Sequence, residues 1–192
     1  IGEYTAHVVK MEKLTHDVMR VLLGLPPGQQ IAFKAGQYIN ILLEDGQRRA
    51  FSFANPPYEA EFVELQIRLM PGGRFTTHVF EKMKEGDEIR FEGPIGDFTL
   101  RESERPIVFV AGATGFAPVK SMVEDAFRRG LKRPIHLYWG VRSLQDLYLP
   151  ELPARWAREH DNFHFIPVLA EPLPEDAWSG RTGLVHEAIL ED

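Results

Sequence analysis

Residues 107–122, IVFVAGATGFAPVKSM, mark a change of period, and their reading decides the fold. The opening IVFVA is a continuous apolar run, the pattern of a parallel strand buried on both faces. A glycine-containing turn follows at 112–118, GATGFAP. Val119, Met122, Val123, Ala126 and Phe127 then recur at i, i+3, i+4, i+7 and i+8, which is one face of a helix. Pro118 suits the first turn of that helix and Gly130 its end. Further on, IHLYWG (135–140) and FHFIPVL (163–169) read as two more buried strands. The helical stretch ELPARWAREH (151–160) lies between them, and LVHEAILED (184–192) is helix-like. Strand–helix–strand alternation implies right-handed crossovers and a parallel sheet. Three strands leave such a sheet unfinished, so this α/β domain is expected to be incomplete at its C-terminus.

Upstream the period is two. YTAHVVKM, VMRVLLGL, QYINILLE, RRAFSFAN, VELQIRLM and EIRFEGP are short runs rich in Val, Ile, Phe and Leu, separated by Gly, Pro and Asp. Asp45-Gly46 suits a tight hairpin turn. One helix is expected in TTHVFEKMKEG, capped by Thr76 or Thr77 and ended by Gly86. Six antiparallel strands and one helix predict a small closed barrel of Greek-key type. The charged stretch RESER (101–105) separates the two patterns, giving expected domains at 1–102 and 103–192.

Composition narrows the function. The net charge of −6 argues against a nucleic-acid-binding or anionic-membrane-binding surface. No apolar run is long enough to cross a bilayer. The absence of cysteine removes disulfides, thiolate catalysis and Cys-ligated metal or iron–sulfur sites from these residues. A cytoplasmic location is the default expectation. The chain starts at Ile1 and ends directly after a helix-like stretch, which reads as a piece of a longer protein.

Four stretches carry chemistry. In LMPGGRFTTHVF (69–80), glycines permit close backbone approach, Arg74 supplies a cation, and a helix start offers free N–H groups to phosphate. In VAGATGFAPVKSM (110–122), a strand runs through Gly112 and Gly115 into a helix N-terminus, the place where open α/β folds hold a dinucleotide pyrophosphate. This is not the G-x-G-x-x-G fingerprint. In YWGVRSLQDLY (138–148), Asp146 could accept from ribose hydroxyls, or Arg142 and Ser143 could hold a 2′-phosphate; each also fits a solvated loop with a capping Asp. A fourth stretch, QRRAFSFANPP (47–57), places Arg49, Phe51 and Phe53 on one strand face, with Ala50 and Ser52 on the other. A cation beside an aromatic ring suits a ligand with both a phosphate and a flat ring system. Zinc-protease, nucleophile-elbow and P-loop motifs are absent.

Taken together and in order, these motifs resemble the ferredoxin–NADP reductase superfamily. Arg49-Ala50-Phe51-Ser52 resembles its Arg-x-Tyr-Ser motif, with Phe51 in place of the commoner tyrosine. PGGRFTTHV is similar to its second flavin phosphate loop. GPIGDFTL is similar to its glycine-proline turn, AGATGFAPVKSM to its nicotinamide turn, and YWGVRSLQDLY to its second nucleotide motif. Bacterial NAD(P)H-dependent oxygenase reductases and CDP-6-deoxy-glucoseen reductases are nearest in character.

The resemblance implies an FAD barrel followed by an NAD(P)-binding α/β domain, and a reductase that moves a hydride from NAD(P)H to FAD. It implies that Arg49 binds the flavin pyrophosphate or ribityl chain, Phe51 stacks on the isoalloxazine, and Ser52 bonds near N5. Ile67, Arg68 and Leu69 would line the ring through their backbone, and Gly73, Arg74, Phe75 and Thr76 would hold the pyrophosphate. Thr114 would sit near the nicotinamide, with Gly112, Gly115 and Pro118 shaping its turn. Asp146 tips the expected nucleotide toward NADH. The expected partner is an acceptor protein or a fused ferredoxin domain, whose [2Fe–2S] cluster would lie outside these residues. The competing expectation is a non-catalytic FAD-binding electron-transfer or regulatory subunit.

Overall fold

The computed structural model describes residues 1–192. They divide into two compact units, 1–101 with 117–129, and 102–116 with 130–192.

The first unit is built on six strands: β1 (Gly2–Lys13), β2 (Val18–Gly24), β3 (Tyr38–Leu42), β4 (Arg48–Ser52), β5 (Phe62–Arg68) and β6 (Glu88–Ile95). They form one sheet of order β4-β3-β6-β1-β2-β5, with every pairing antiparallel. This is the six-stranded Greek-key arrangement that the alternating pattern predicts. The outer strands approach where the Ala54 N–H donates to the Glu64 carbonyl at 2.9 Å. Inward-facing Val21, Ile39, Val63 and Phe91 are buried, so the core fills the sheet's concave side. The hairpin between β3 and β4 closes through Leu43 and Gln47, and Gly46 supplies the positive φ of +83° that its tight turn requires.

Helix α1 (Arg74–Glu81) plugs the sheet with buried Phe75 and Val79. It begins before the threonines expected to cap it. Gly73 is the cap residue, and Thr76 stands inside the first turn. The Thr76 hydroxyl instead accepts from the Met70 N–H at 3.1 Å and donates to the Gly73 carbonyl at 3.3 Å. The helix also ends at Glu81 rather than at Gly86, which turns the chain into β6 with φ +93°.

Helix α2 (Phe116–Arg128) contributes residues 117–128 to this unit. What binds it there is a buried polar cluster. The Lys120 ammonium lies 3.0 Å from Glu64 Oε1, 2.9 Å from Glu124 Oε1 and 3.1 Å from the Ala54 carbonyl.

The second unit carries a parallel sheet of β7 (Ile107–Gly112), β8 (Ile135–Val141), β9 (Phe163–Leu169) and β10 (Arg181–Thr182), in the order β10-β9-β8-β7. Helices α3 (Glu151–Glu159) and α4 (Val185–Glu191) belong to it. Three of these strands follow the expected boundaries. The fourth, β10, has only two residues, too few to show a period. The expectation that β7 is buried on both faces is corrected. Ile107, Phe109 and Ala111 are buried, but Val108 and Val110 are 52% and 51% exposed. As an edge strand, β7 has a neighbour on one side only. Helix α4 packs on Tyr138 and Val168 and leaves the face at Val108 and Val110 half open.

Candidate functional site

In the first unit, two cations from separate motifs converge on the tip of the β3–β4 hairpin. Arg74 forms a salt bridge with Asp45. The Arg49 guanidinium donates to Gln47 Oε1 at 2.8 Å and to the Arg48 carbonyl at 3.0 Å. Asp45 is held below the ordinary carboxylate range, first by the Gln47 N–H that it accepts, then by Arg74, with a smaller contribution from Arg49. A β-strand and a helix start, distant in sequence, therefore present positive charge at one place.

The backbone at that place is tightly made. A Cβ on Gly73 would lie 2.7 Å from Thr76 Oγ1 and 3.1 Å from the Met70 carbonyl, closer than side chains pack. Glycine is thus required for space. The first turn of α1 leaves the N–H groups of Arg74, Phe75 and Thr76 without intrahelical partners.

The remaining residues of the flavin resemblance are placed as follows. Phe51 is half-buried and tilted against Phe75, with ring centroids 5.8 Å apart. Ser52 ends β4 opposite Tyr38, and Ala50 points outward, exposed. The Ile67 side chain is buried in the barrel core, so only its backbone could meet a ligand. Arg68 is exposed, with Nε 3.3 Å from Asp17 Oδ2. The Leu69 N–H is already spent on the Asp17 carbonyl at 2.7 Å, which leaves the Leu69 carbonyl as its polar group there.

In the second unit, β7 ends in a short 3-10 turn, Ala113–Gly115. A Cβ added to Gly112 or Gly115 would meet no atom within 4 Å, so both glycines border open space at a strand's carboxyl end. Thr114 is half-buried between them. Ala113 takes a left-handed φ of +48°, and its carbonyl accepts from the Trp139 indole N–H at 3.0 Å. Trp139 in turn stacks on Phe116 with centroids 4.1 Å apart. Pro118, third residue of α2, is half-buried.

The third motif resolves into local structure. Asp146 Oδ2 accepts from both the backbone N–H and the hydroxyl of Ser143, each at 3.2 Å, which makes Asp146 the cap of its own loop. Ser143 is buried and engaged in that cap. Arg142 projects into solvent, 3.9 Å from an equally exposed Glu171.

Sequence reading missed the cluster around Lys120. Glu64 and Gln66 are buried on β5, and Gln66 Nε2 donates to Glu64 Oε2 at 3.2 Å. Arg20 Nε stands 3.3 Å from the same oxygen. Burial alone would lower the Lys120 pKa, but Glu64 and then Glu124 outweigh it and hold the ammonium above its ordinary value. Burial raises Glu124 against the pull of Lys120. A lysine on the apolar side of α2, beside Val119 and Val123, was the available signal.

These sites fit a phosphate-bearing ring cofactor in the first unit and a nucleotide in the second. Comparison with known proteins identifies the domains to which these residues belong. Residues 5–100 match the oxidoreductase FAD-binding domain and residues 109–192 the oxidoreductase NAD-binding domain. Protein RfbI of Salmonella typhimurium is 44% identical over 92% of this chain and 52% of its own length. The CDP-6-deoxy-L-threo-D-glycero-4-hexulose-3-dehydrase reductase of Yersinia pestis is 40% identical over 98% of this chain and 56% of its own. The crystal structure of the Amycolatopsis reductase GcoB superposes with a TM-score of 0.90 at 36% identity, covering 100% of this chain and 58% of that one. The chain therefore spans about half the length of the relatives it matches, 52% and 56% of the two curated ones. It belongs to the FAD- and NAD-binding oxidoreductases with the ferredoxin reductase-like fold.

Proposed function

We propose that this chain is the flavin- and nucleotide-binding part of an NAD(P)H-dependent reductase that passes electrons to a protein acceptor. We assign FAD to residues 1–102 and the pyridine nucleotide to 103–192. The observation that carries the reading is the convergence of Arg49 and Arg74 at the start of α1. Two cations and free helix N–H groups suit a diphosphate, and the half-buried Phe51 ring beside them suits a flat ring system.

Bound FAD supplies a hydride acceptor that can release electrons singly or in pairs. The chain's part is to hold and orient. Arg49, Gly73, Arg74, Phe75 and Thr76 bind the diphosphate. Phe51 covers the ring, Ser52 and the Ala50 backbone hold its reacting end, and the backbone of Ile67, Arg68 and Leu69 lines its edge. Gly112, Thr114, Gly115 and Pro118 form the nicotinamide turn, where missing side chains leave room for close approach. We favour NADH, because Ser143 is engaged by Asp146 in capping its own loop and Arg142 extends into solvent beside Glu171, so the loop after β8 presents no assembled partners for a 2′-phosphate.

The acceptor is an iron–sulfur protein or a ferredoxin domain outside these residues, by analogy with a structural neighbour named as the ferredoxin reductase in carbazole 1,9a-dioxygenase. No helix is long and apolar enough to cross a membrane, and we place the protein in the cytoplasm. Anaerobic titration of the flavin-loaded, full-length protein with NADH and with NADPH tests the reading. Bleaching of the visible flavin band is expected. If neither nucleotide bleaches it, the reductase assignment fails.

A further inference from the structure

The barrel of the first unit closes through few bonds, and one side chain in that closure comes from outside its strands. β4 and β5 are the two edges of the sheet and share no ladder. They approach just past the end of β4. There the Ala54 N–H donates to the Glu64 carbonyl, and the Glu64 N–H donates to Asn55 Oδ1, each at 2.9 Å. The Lys120 ammonium spans the same gap, donating to the Ala54 carbonyl at 3.1 Å and to Glu64 Oε1 at 3.0 Å. Ala54, Asn55, Glu64 and Lys120 are all buried, so water does not compete for the bridge.

We infer that Lys120 is a positioning residue for the flavin ring, because it fixes the spacing of the two edges assigned to that ring. The inference rests on the FAD reading proposed above and adds to it a residue given to neither cofactor. The Ala54 carbonyl lies two residues past Ser52, on the segment that leaves β4 after Phe51. Glu64 lies three residues before Ile67, on the strand that runs into Arg68 and Leu69. One side chain therefore ties the wall given to the ring's face to the wall given to its edge. Glu64 is braced from its other oxygen by Gln66 Nε2 at 3.2 Å, which steadies the bridge at its β5 end. The third contact of Lys120, to Glu124 at 2.9 Å, stays within α2 and does not cross the gap. A displacement of about 1 Å in a reacting group can cost about a hundredfold in rate, so wall spacing has a large kinetic reach.

Three variants of the full-length protein separate this role from the holding of α2. Lys120→Met combined with Glu64→Gln removes the bridge, and the paired charges leave together. Lys120→Arg keeps the charge, but its planar fork does not match the three acceptors that an ammonium meets. Glu124→Gln weakens the contact within the helix and leaves the bridge in place. Amide hydrogen exchange is measured on the flavin-free protein, and the rate of flavin reduction at saturating NADH on the loaded one. In the double variant, residues 52–55 and 62–66 should exchange about tenfold or more faster than in wild type. Its flavin should be reduced about tenfold or more slowly, with the apparent NADH dissociation constant within about threefold. Lys120→Arg should move exchange and rate in the same directions by about threefold, and Glu124→Gln should leave both within about twofold. Wild-type exchange and rate in Lys120→Arg and in the double variant overturn the inference, and Lys120→Arg alone decides if the double variant does not fold. Equal effects of Glu124→Gln and the double variant also overturn it, because the lysine would then act only by holding α2. A wild-type protein that binds no FAD fails differently, because it removes the FAD reading and this inference with it.

Discussion

The two glycine turns of this chain lead into helices by opposite means. At Met70–Thr76 the turn is filled at Gly73, although Gly72 beside it meets nothing. Gly73 has no room for a Cβ, the Thr76 hydroxyl braces the backbone, and Arg74 brings a charge. At Gly112–Phe116 the turn is left empty. Its glycines border open space, no cation belongs to it, and the strained Ala113 is steadied from below by the Trp139 indole. The first turn resembles a clamp for a ligand that stays, and the second a ledge for one that comes and goes. Under the function proposed above, the first turn would hold a retained flavin and the second an exchanging nucleotide.

The largest expected effect concerns what holds the helix that follows the second turn. Lys120 is buried with Glu64 and Glu124. Lys120→Met removes one partner and strands buried carboxylates, which should cost about 3–5 kcal/mol in denaturant unfolding. The pH dependence gives a second signature. The native Lys120 pKa is raised above 10.5, so its contribution is complete below that value and drains away as pH climbs through the raised pKa. Wild type should therefore lose stability in that alkaline range, and Lys120→Met should lack that loss. Equal alkaline slopes in the two proteins would remove Lys120 from the account of how α2 is held.

The next effect tests the clamp. Arg49→Ala should weaken FAD retention by roughly 1.5–3 kcal/mol, the worth of a charge-assisted phosphate contact, and Phe51→Tyr should change it far less. Equilibrium dialysis against apoprotein measures both. Equal retention in the two variants would undo the assignment of Arg49.

How much of this was legible depends on distance along the chain. The strand at 48–52 and both glycine turns could be read because alternation and glycine spacing are local. The start of α1 was misplaced by the assumption that a threonine near a helix start caps it; Thr76 serves the preceding turn instead. Asp146 had two local readings, and the capping geometry with Ser143 is the one the backbone adopts. The Lys120–Glu64 pair was illegible because 56 residues separate its members, and nothing in either segment names the other. Lys120 with Glu124 reads from sequence as an ordinary surface i, i+4 pair, and only the packed barrel makes it buried. The convergence of Arg49 and Arg74 is likewise a product of topology, since it depends on β3–β4 and α1 meeting at one end of the sheet.

A matched pair of substitutions separates the turns directly. Gly73→Ala forces a methyl against Thr76 Oγ1 and the Met70 carbonyl, and should cost about 1–2 kcal/mol of stability. Gly115→Ala meets nothing, so its stability should stay within about 0.5 kcal/mol of wild type while NADH affinity falls. Thermal melts with and without nucleotide distinguish the two. A destabilised Gly115→Ala would mean that the second turn is as closely packed as the first.

The smallest effect is a gain. Ala113 holds φ +48°, a conformation costing an L-residue about 1–2 kcal/mol, while glycine gives back roughly 0.5–1 kcal/mol in lost chain entropy. Ala113→Gly should therefore stabilise its unit by somewhat under about 1 kcal/mol. All three tryptophans, Trp139, Trp156 and Trp178, lie in that unit, so their emission follows its unfolding separately from the barrel. The indole bond to the residue 113 carbonyl uses the backbone and survives the change. A stabilised variant with unaltered emission would show that the turn's shape is set by Trp139 and that the alanine only tolerates it. A destabilised one would give the Ala113 methyl a packing role, and the second turn would then be filled in part, as the first one is.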